Sequence, residues 1–219
     1  MIEPAAEASS APAPPSRLRW LVLACAMLIA APLGLLAARA LVASRAPPLP
    51  ELGTLPAFTL TDQTGKPSGL AELRGKVWVA DFVFTRCPSI CPLLTAHMAE
   101  IQKRTHAFGD DFALVSFSVD PTYDTPPVLT RYMAKYHADP SRWRFLTGST
   151  EAIEKVVTDG FKEVLERDHA KGPQDFLSIV HGGHFVLVDR QGQIRGYYDS
   201  NEPEAVTAVV RDAKGLLRE

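Results

Sequence analysis

Asp81-Phe82-Val83-Phe84-Thr85-Arg86-Cys87-Pro88-Ser89-Ile90-Cys91-Pro92 closes an apolar run that begins at Val77 and delivers two thiols, four residues apart, to the edge of a helix. Thiols in that position either exchange electrons as a dithiol or grip a soft metal. Val77 to Phe84 reads as a buried strand. Leu94, Met98, Ile101 and Phe108 give Leu93 to Phe108 the apolar stripe of an amphipathic helix. Proline lacks an N–H and fits a first turn, so Cys91-Pro92 marks the helix start. The positive end of the helix dipole favours a thiolate there, and Arg86 adds to it.

Working outward, Phe58-Thr59-Leu60 and the turn Asp62 to Gly65 predict an N-terminal hairpin. Phe112 to Val119 predicts a second buried strand, and Asp124 an N-cap for a helix running to about His137, with Pro126 and Pro127 in its first turn. Trp143 to Leu146 is a short strand, and Ser149 or Thr150 caps a helix over Glu151 to Gly160. His184 to Val188 and Ile194 to Tyr198 flank the turn Asp189 to Gly192, a hairpin signal, and Glu202 to Leu217 closes as a helix. Strands alternating with helices, then a hairpin and a last helix, give an α/β domain with a central mixed sheet flanked by helices. That order resembles a thioredoxin-like fold, here over residues 55–219.

Ahead of it, residues 1–18, rich in Pro, Ala and Ser, read as a disordered tail. Residues 19–39 read as a single transmembrane helix around the charge-free stretch Trp20 to Ala38, about 28 Å long as a helix. A cleaved signal peptide is the rival reading. Residues 40–54, with Pro47, Pro48 and Pro50, read as a stiff linker. Residues 1–45 carry four basic and two acidic side chains, which leaves 19 basic and 23 acidic in the remainder. With no basic run in it, a nucleic-acid partner has no electrostatic support. Three cysteines, with Cys25 isolated in the apolar span, exclude a disulfide scaffold.

Disulfide oxidoreductases usually separate their thiols by two residues; three stand between Cys87 and Cys91. A disulfide across this loop and a shared ion both remain open. Two buried free cysteines would be the plain alternative, but the prolines at a strand end argue against it. Structural zinc wants four ligands, and no second cysteine pair exists. Cu(I) accepts a few thiolate and imidazole ligands, so a third ligand is needed. A thiol peroxidase site fails, because Phe84 and not Thr stands three residues before Cys87. His97, His106, His137 and His169 read as surface residues. His181 and His184, in Val180-His181-Gly182-Gly183-His184-Phe185, open the last hairpin, whose leading loop lies beside the thiol loop in a thioredoxin-like fold. Residues three apart in a strand face opposite sides, so the two do not bind one ion in regular geometry.

Phe84-Thr85-Arg86-Cys87-Pro88-Ser89-Ile90-Cys91-Pro92, then Ser118-Val119-Asp120-Pro121 with Asp124-Thr125-Pro126, then a His before Val186-Leu187-Val188-Asp189 and Gly196-Tyr197-Tyr198 together resemble the Sco/SenC family. These are membrane-anchored, thioredoxin-like copper proteins of cytochrome oxidase assembly. The resemblance implies that Cys87 and Cys91 bind copper, as Cu(I) or Cu(II), together with His181. It implies a metallochaperone rather than an enzyme, held in the cytoplasmic membrane with its soluble domain in a periplasm or a mitochondrial intermembrane space. Copper would pass to a cytochrome c oxidase subunit or another copper chaperone, or the dithiol would reduce that subunit's cysteines. A thiol-disulfide oxidoreductase and a copper or redox sensor are the alternatives. Asp120 is either a carboxylate standing behind the metal ligands or contacting a partner, or a strand-terminating Asp-Pro turn. Many members have Asp before the ligand histidine and small hydroxyl residues after it. Here Val180 precedes and Gly182-Gly183 follow, which removes side-chain hydrogen bonds that would orient the imidazole.

Overall fold

A computed structural model of the chain describes Met27, residues 48–167 and residues 179–219. No helix among the described residues is long and apolar enough to cross a membrane. The expected tail (1–18), the expected span (19–39, Met27 apart), Cys25 and His169 lie outside them.

Leu49 to Glu219 form one compact unit. Its centre is an eight-stranded sheet of β1 (Gly53–Thr54), β2 (Thr59–Asp62), β3 (Pro67–Gly69), β4 (Val77–Val83), β5 (Phe112–Ser118), β6 (Trp143–Thr147), β9 (His184–Val188) and β10 (Gln193–Asp199), in the order β1-β10-β9-β4-β5-β6-β2-β3. Strands β4, β5 and β6 run parallel, and the others join antiparallel, so the sheet is mixed. Leu165–Arg167 (β7) and Ile179–His181 (β8) form a separate antiparallel ribbon, which the sequence reading did not foresee.

Every residue of β4 is buried, as expected of a central strand covered on both faces. Period-2 alternation puts Trp78 and Phe82 on one face, where they pack with Phe117 of β5 and with Phe161 at ring-centroid distances of 5.1 to 6.0 Å. The opposite face carries Val77, Val79, Asp81 and Val83. Helix α2 (Ile90–Arg104) packs against β4 and against α5 (Ala205–Leu216), which itself touches β4, β9 and β10. The remaining helices are α1 (Leu70–Leu73), α3 (Pro126–Lys135) and α4 (Thr150–Glu154), the last continued by a wider π turn at Lys155–Gly160. Ser149 caps α4 as expected, accepting a hydrogen bond from Ala152 N.

Two readings need correction. Asp124 does not cap α3; the N-cap is Thr125. The Asp124 carboxylate is buried and accepts hydrogen bonds from Thr85 N, the Thr85 hydroxyl and the Ser118 hydroxyl. Nor do residues 49–54 behave as linker. Thr54 and Gly53 pair with β10, and the Leu49 and Pro50 carbonyls accept from Arg195 at 2.7 and 3.2 Å.

The topology fixes the site. Strand β4 ends where the antiparallel β9 begins, so the loop after β4 and the loop before β9 meet at one end of the sheet. Such loop clusters at the carboxyl ends of parallel strands are where α/β domains place their chemistry.

Candidate metal centre

The loop leaving β4 is held from below. Thr85 is tied to Asp124, and Cys87 N donates to the Phe84 carbonyl at 3.2 Å. Arg86 Nε donates to Asp120 Oδ2 at 2.7 Å, and its guanidinium lies 4.6 Å from the centre of the Tyr123 ring. Asp120 is fully buried and also accepts from the Thr122 hydroxyl. It anchors the thiol loop from behind through Arg86, and as a fully buried side chain it offers no surface to a partner.

Helix α2 starts at Ile90, one residue earlier than expected, with Ser89 as N-cap. The Ser89 hydroxyl makes no capping bond and instead meets Cys87 Sγ at 3.5 Å. Cys91 stands second in the helix, fully buried, with Pro92 completing the first turn. Both cysteines are free thiols.

Their electrostatics diverge. Burial works to raise the Cys87 thiol, but hydrogen bonds from the Ser89 hydroxyl and from the Cys91 and Ser89 backbone N–H groups outweigh it and hold it below its ordinary value. Burial drives the Cys91 thiol well above its ordinary range, with the Cys87 sulfur and the Asp81 carboxylate pushing the same way. In the metal-free protein Cys87 is therefore the nucleophilic sulfur. At pH 7, iodoacetamide is expected to label Cys87 before Cys91, as read by peptide mass mapping. Equal labelling rates would contradict this assignment.

His181 closes the site from the ribbon. Its Nε2 lies 3.5 Å from Cys91 Sγ, and its Nδ1 is 3.0 Å from the Gly182 carbonyl. That carbonyl can only accept, so Nδ1 carries the proton and Nε2 turns its lone pair toward the sulfur. The Phe84 ring packs edge-on to the imidazole, with centroids 5.6 Å apart. Burial holds His181 below its ordinary pKa against the pull of the Gly182 bond, which keeps the ring neutral at neutral pH. In place of the side-chain bonds of the absent hydroxyl residues, the backbone supplies the orienting bond.

His184 does not join this group. Its Nδ1 engages the Glu163 carboxylate, at 3.0 Å from Oε1 and 3.2 Å from Oε2. His97 lies against Phe185, and the His137 carbonyl accepts from Gln102. Among the described residues, no three His, Cys, Asp or Glu side chains already stand in metal-binding geometry. The structure brings Cys91 and His181 face to face, with Cys87 bonded to Ser89.

Two residues of this neighbourhood escaped the sequence reading. Asp81 is fully buried on the α2 side of β4, and neither carboxylate oxygen has a hydrogen-bond partner. A lone carboxylate within an apolar strand was the available signal. Glu163, 7% exposed, had none.

The SCO1/SenC family model matches residues 49–216. A SCO1 protein homolog of Bacillus subtilis (strain 168) is 36% identical over 158 residues, 72% of this chain and 79% of the relative. Two solved structures superpose well. BsSco, described as a member of the Sco family of cytochrome c oxidase assembly proteins with a disulfide switch, has a TM-score of 0.67 and 34% identity, covering 78% of this chain and 98% of its own. Bradyrhizobium japonicum ScoI, solved with copper bound, has a TM-score of 0.63 and 26% identity, covering 74% and 99%.

Proposed function

The chain belongs to the SCO1/SenC family, and from that premise we propose that it is a copper-binding assembly factor in which Cys87, Cys91 and His181 hold one copper ion. The observation that carries this reading is the approach of His181 Nε2 to Cys91 Sγ at 3.5 Å, with Nδ1 tied back to Gly182. Two thiols and a neutral imidazole are a soft donor set suited to copper in either oxidation state. Cys87 would complete the set by giving up its contact with Ser89.

Copper is cargo in this proposal, delivered to a cytochrome c oxidase subunit or exchanged with another copper chaperone. The copper-bound ScoI supports the cargo, and the oxidase-assembly family of BsSco supports the destination. Leu93, Tyr123, Val164 and Val180 remain exposed on the elements that build the site, as suits a protein partner. Residues 19–39 serve as the membrane anchor, with residues 55–219 and the folded lead-in from Leu49 outside the cytoplasmic membrane.

A second reading rests on the divergent thiols. A lowered Cys87 beside a raised Cys91 is the arrangement of an attacking and a resolving cysteine, so the same pair would reduce a partner's disulfide.

An anaerobic Cu(I) competition titration of the full chain separates the two. His181→Ala is expected to lower one-to-one affinity by about 10- to 100-fold, the loss of one ligand in three. Unchanged affinity would remove His181 from the site and move the weight to the dithiol reductase.

A further inference from the structure

The Glu163 carboxylate is buried beneath the loop that carries His181. It straddles His184 Nδ1, and it occupies the space above Gly182 so closely that a Cβ on that glycine would fall 1.8 Å from Glu163 Oε2. Gly182 N donates to the carbonyl of the neighbouring Val164 at 3.0 Å. The Gly182 carbonyl is the group that fixes the His181 tautomer. Val164 therefore holds the peptide on the N-terminal side of Gly182 and Glu163 fills the space at its Cα, and together they fix the residue whose carbonyl orients His181. Gly183 is tight but less so: a Cβ there would meet Ile90 Cδ1 at 3.2 Å. The two glycines thus have a packing reason, since their backbone is sandwiched between the thiol-bearing helix and Glu163.

We propose that Glu163 is a positioning residue for the metal centre: by clamping the Gly182 peptide and pinning His184, it holds His181 Nε2 toward Cys91. The proposal rests on the assignment of His181 as a copper ligand, but its geometric part concerns the metal-free protein. Groups that orient a ligating histidine from behind typically change metal affinity 10- to 100-fold when removed. Glutamine keeps both the shape of Glu163 and an oxygen that accepts from His184, whereas alanine keeps neither.

The test uses the full chain in four variants: Glu163→Gln, Glu163→Ala, Gly182→Ala, and the Glu163→Ala/Gly182→Ala double substitution. Long-range 15N correlation spectra of metal-free protein read the His181 tautomer, and Cu(I) competition reads affinity, with His181→Ala as reference. Glu163→Ala is expected to mix the tautomers and to lower affinity about tenfold, with Glu163→Gln near wild type. Gly182→Ala must expel the carboxylate and should match Glu163→Ala, and the double variant should be no worse than either single one, as for two changes that act through one contact. A wild-type tautomer and affinity in Glu163→Ala would overturn the proposal, as would additive losses in the double variant. If His181→Ala itself leaves Cu(I) affinity unchanged, the ligand assignment fails, and the metal-free tautomer alone then decides the clamp.

Discussion

Cys91→Ser is expected to lower Cu(I) affinity by at least about a thousandfold while leaving the fold intact. Cys91 is the sulfur that faces His181, and it is fully buried in the first turn of α2. A serine hydroxyl is hard and stays protonated there, so the soft ion keeps only one thiolate and an imidazole. The substitution is nearly isosteric, and His181 Nε2 can accept from the new hydroxyl, so no buried polar group is stranded. The hydrogen bond from the Thr95 hydroxyl reaches the Cys91 carbonyl, not its side chain, and Thr95 is joined to Tyr132 at 2.8 Å. That support under the helix survives. Competition against a chromogenic chelator, with circular dichroism as a fold check, measures the effect. A loss smaller than tenfold would mean that copper is held elsewhere.

Asp81→Asn should remove a pH dependence from the stability of the metal-free protein. Burial raises the Asp81 carboxyl from an ordinary 3.8 to about 7. The folded state thus holds this proton more tightly than the unfolded state does. Stability from this group is fully present below pH 3.8 and declines as pH climbs to about 7, with a total cost of up to about 4 kcal/mol above that. Asparagine is neutral throughout and escapes the decline. Urea unfolding at pH 4.5 and pH 8 should show a variant-minus-wild-type difference that grows toward alkaline pH. Parallel profiles would show that Asp81 ionises as readily in the fold as in the open chain.

The parts of the fold that were legible are those written in local pattern. Val77 to Val83 is apolar but for Asp81 because it is covered on both faces, and the hairpin at Asp189 to Gly192 carries its own turn residues. The thiol loop was legible for the same reason, since strand, prolines and helix follow one another in sequence. What failed was non-local. Asp124 looks like an N-cap because Thr125-Pro126-Pro127 follows it, but its partners are Thr85 and Ser118, which only the tertiary fold supplies. The ribbon pairs Leu165–Arg167 with Ile179–His181, two three-residue segments too short to show a period. Hence the bond from His181 to Gly182 and the grip of Glu163 had no sequence signal, although the family resemblance pointed to His181 itself.

The two residues of β1 also protect the protein from itself. Strand β10 would otherwise end the sheet with open N–H and C=O groups, a template on which another chain can pair. Gly53 and Thr54 occupy that edge, and Arg195, whose side chain also pairs with Asp189 at 2.9 Å, fastens the preceding carbonyls over it. A soluble fragment cut at residue 55 would discard this cover and bare a sticky margin, so self-association of such a fragment would report a lost border rather than a native oligomer.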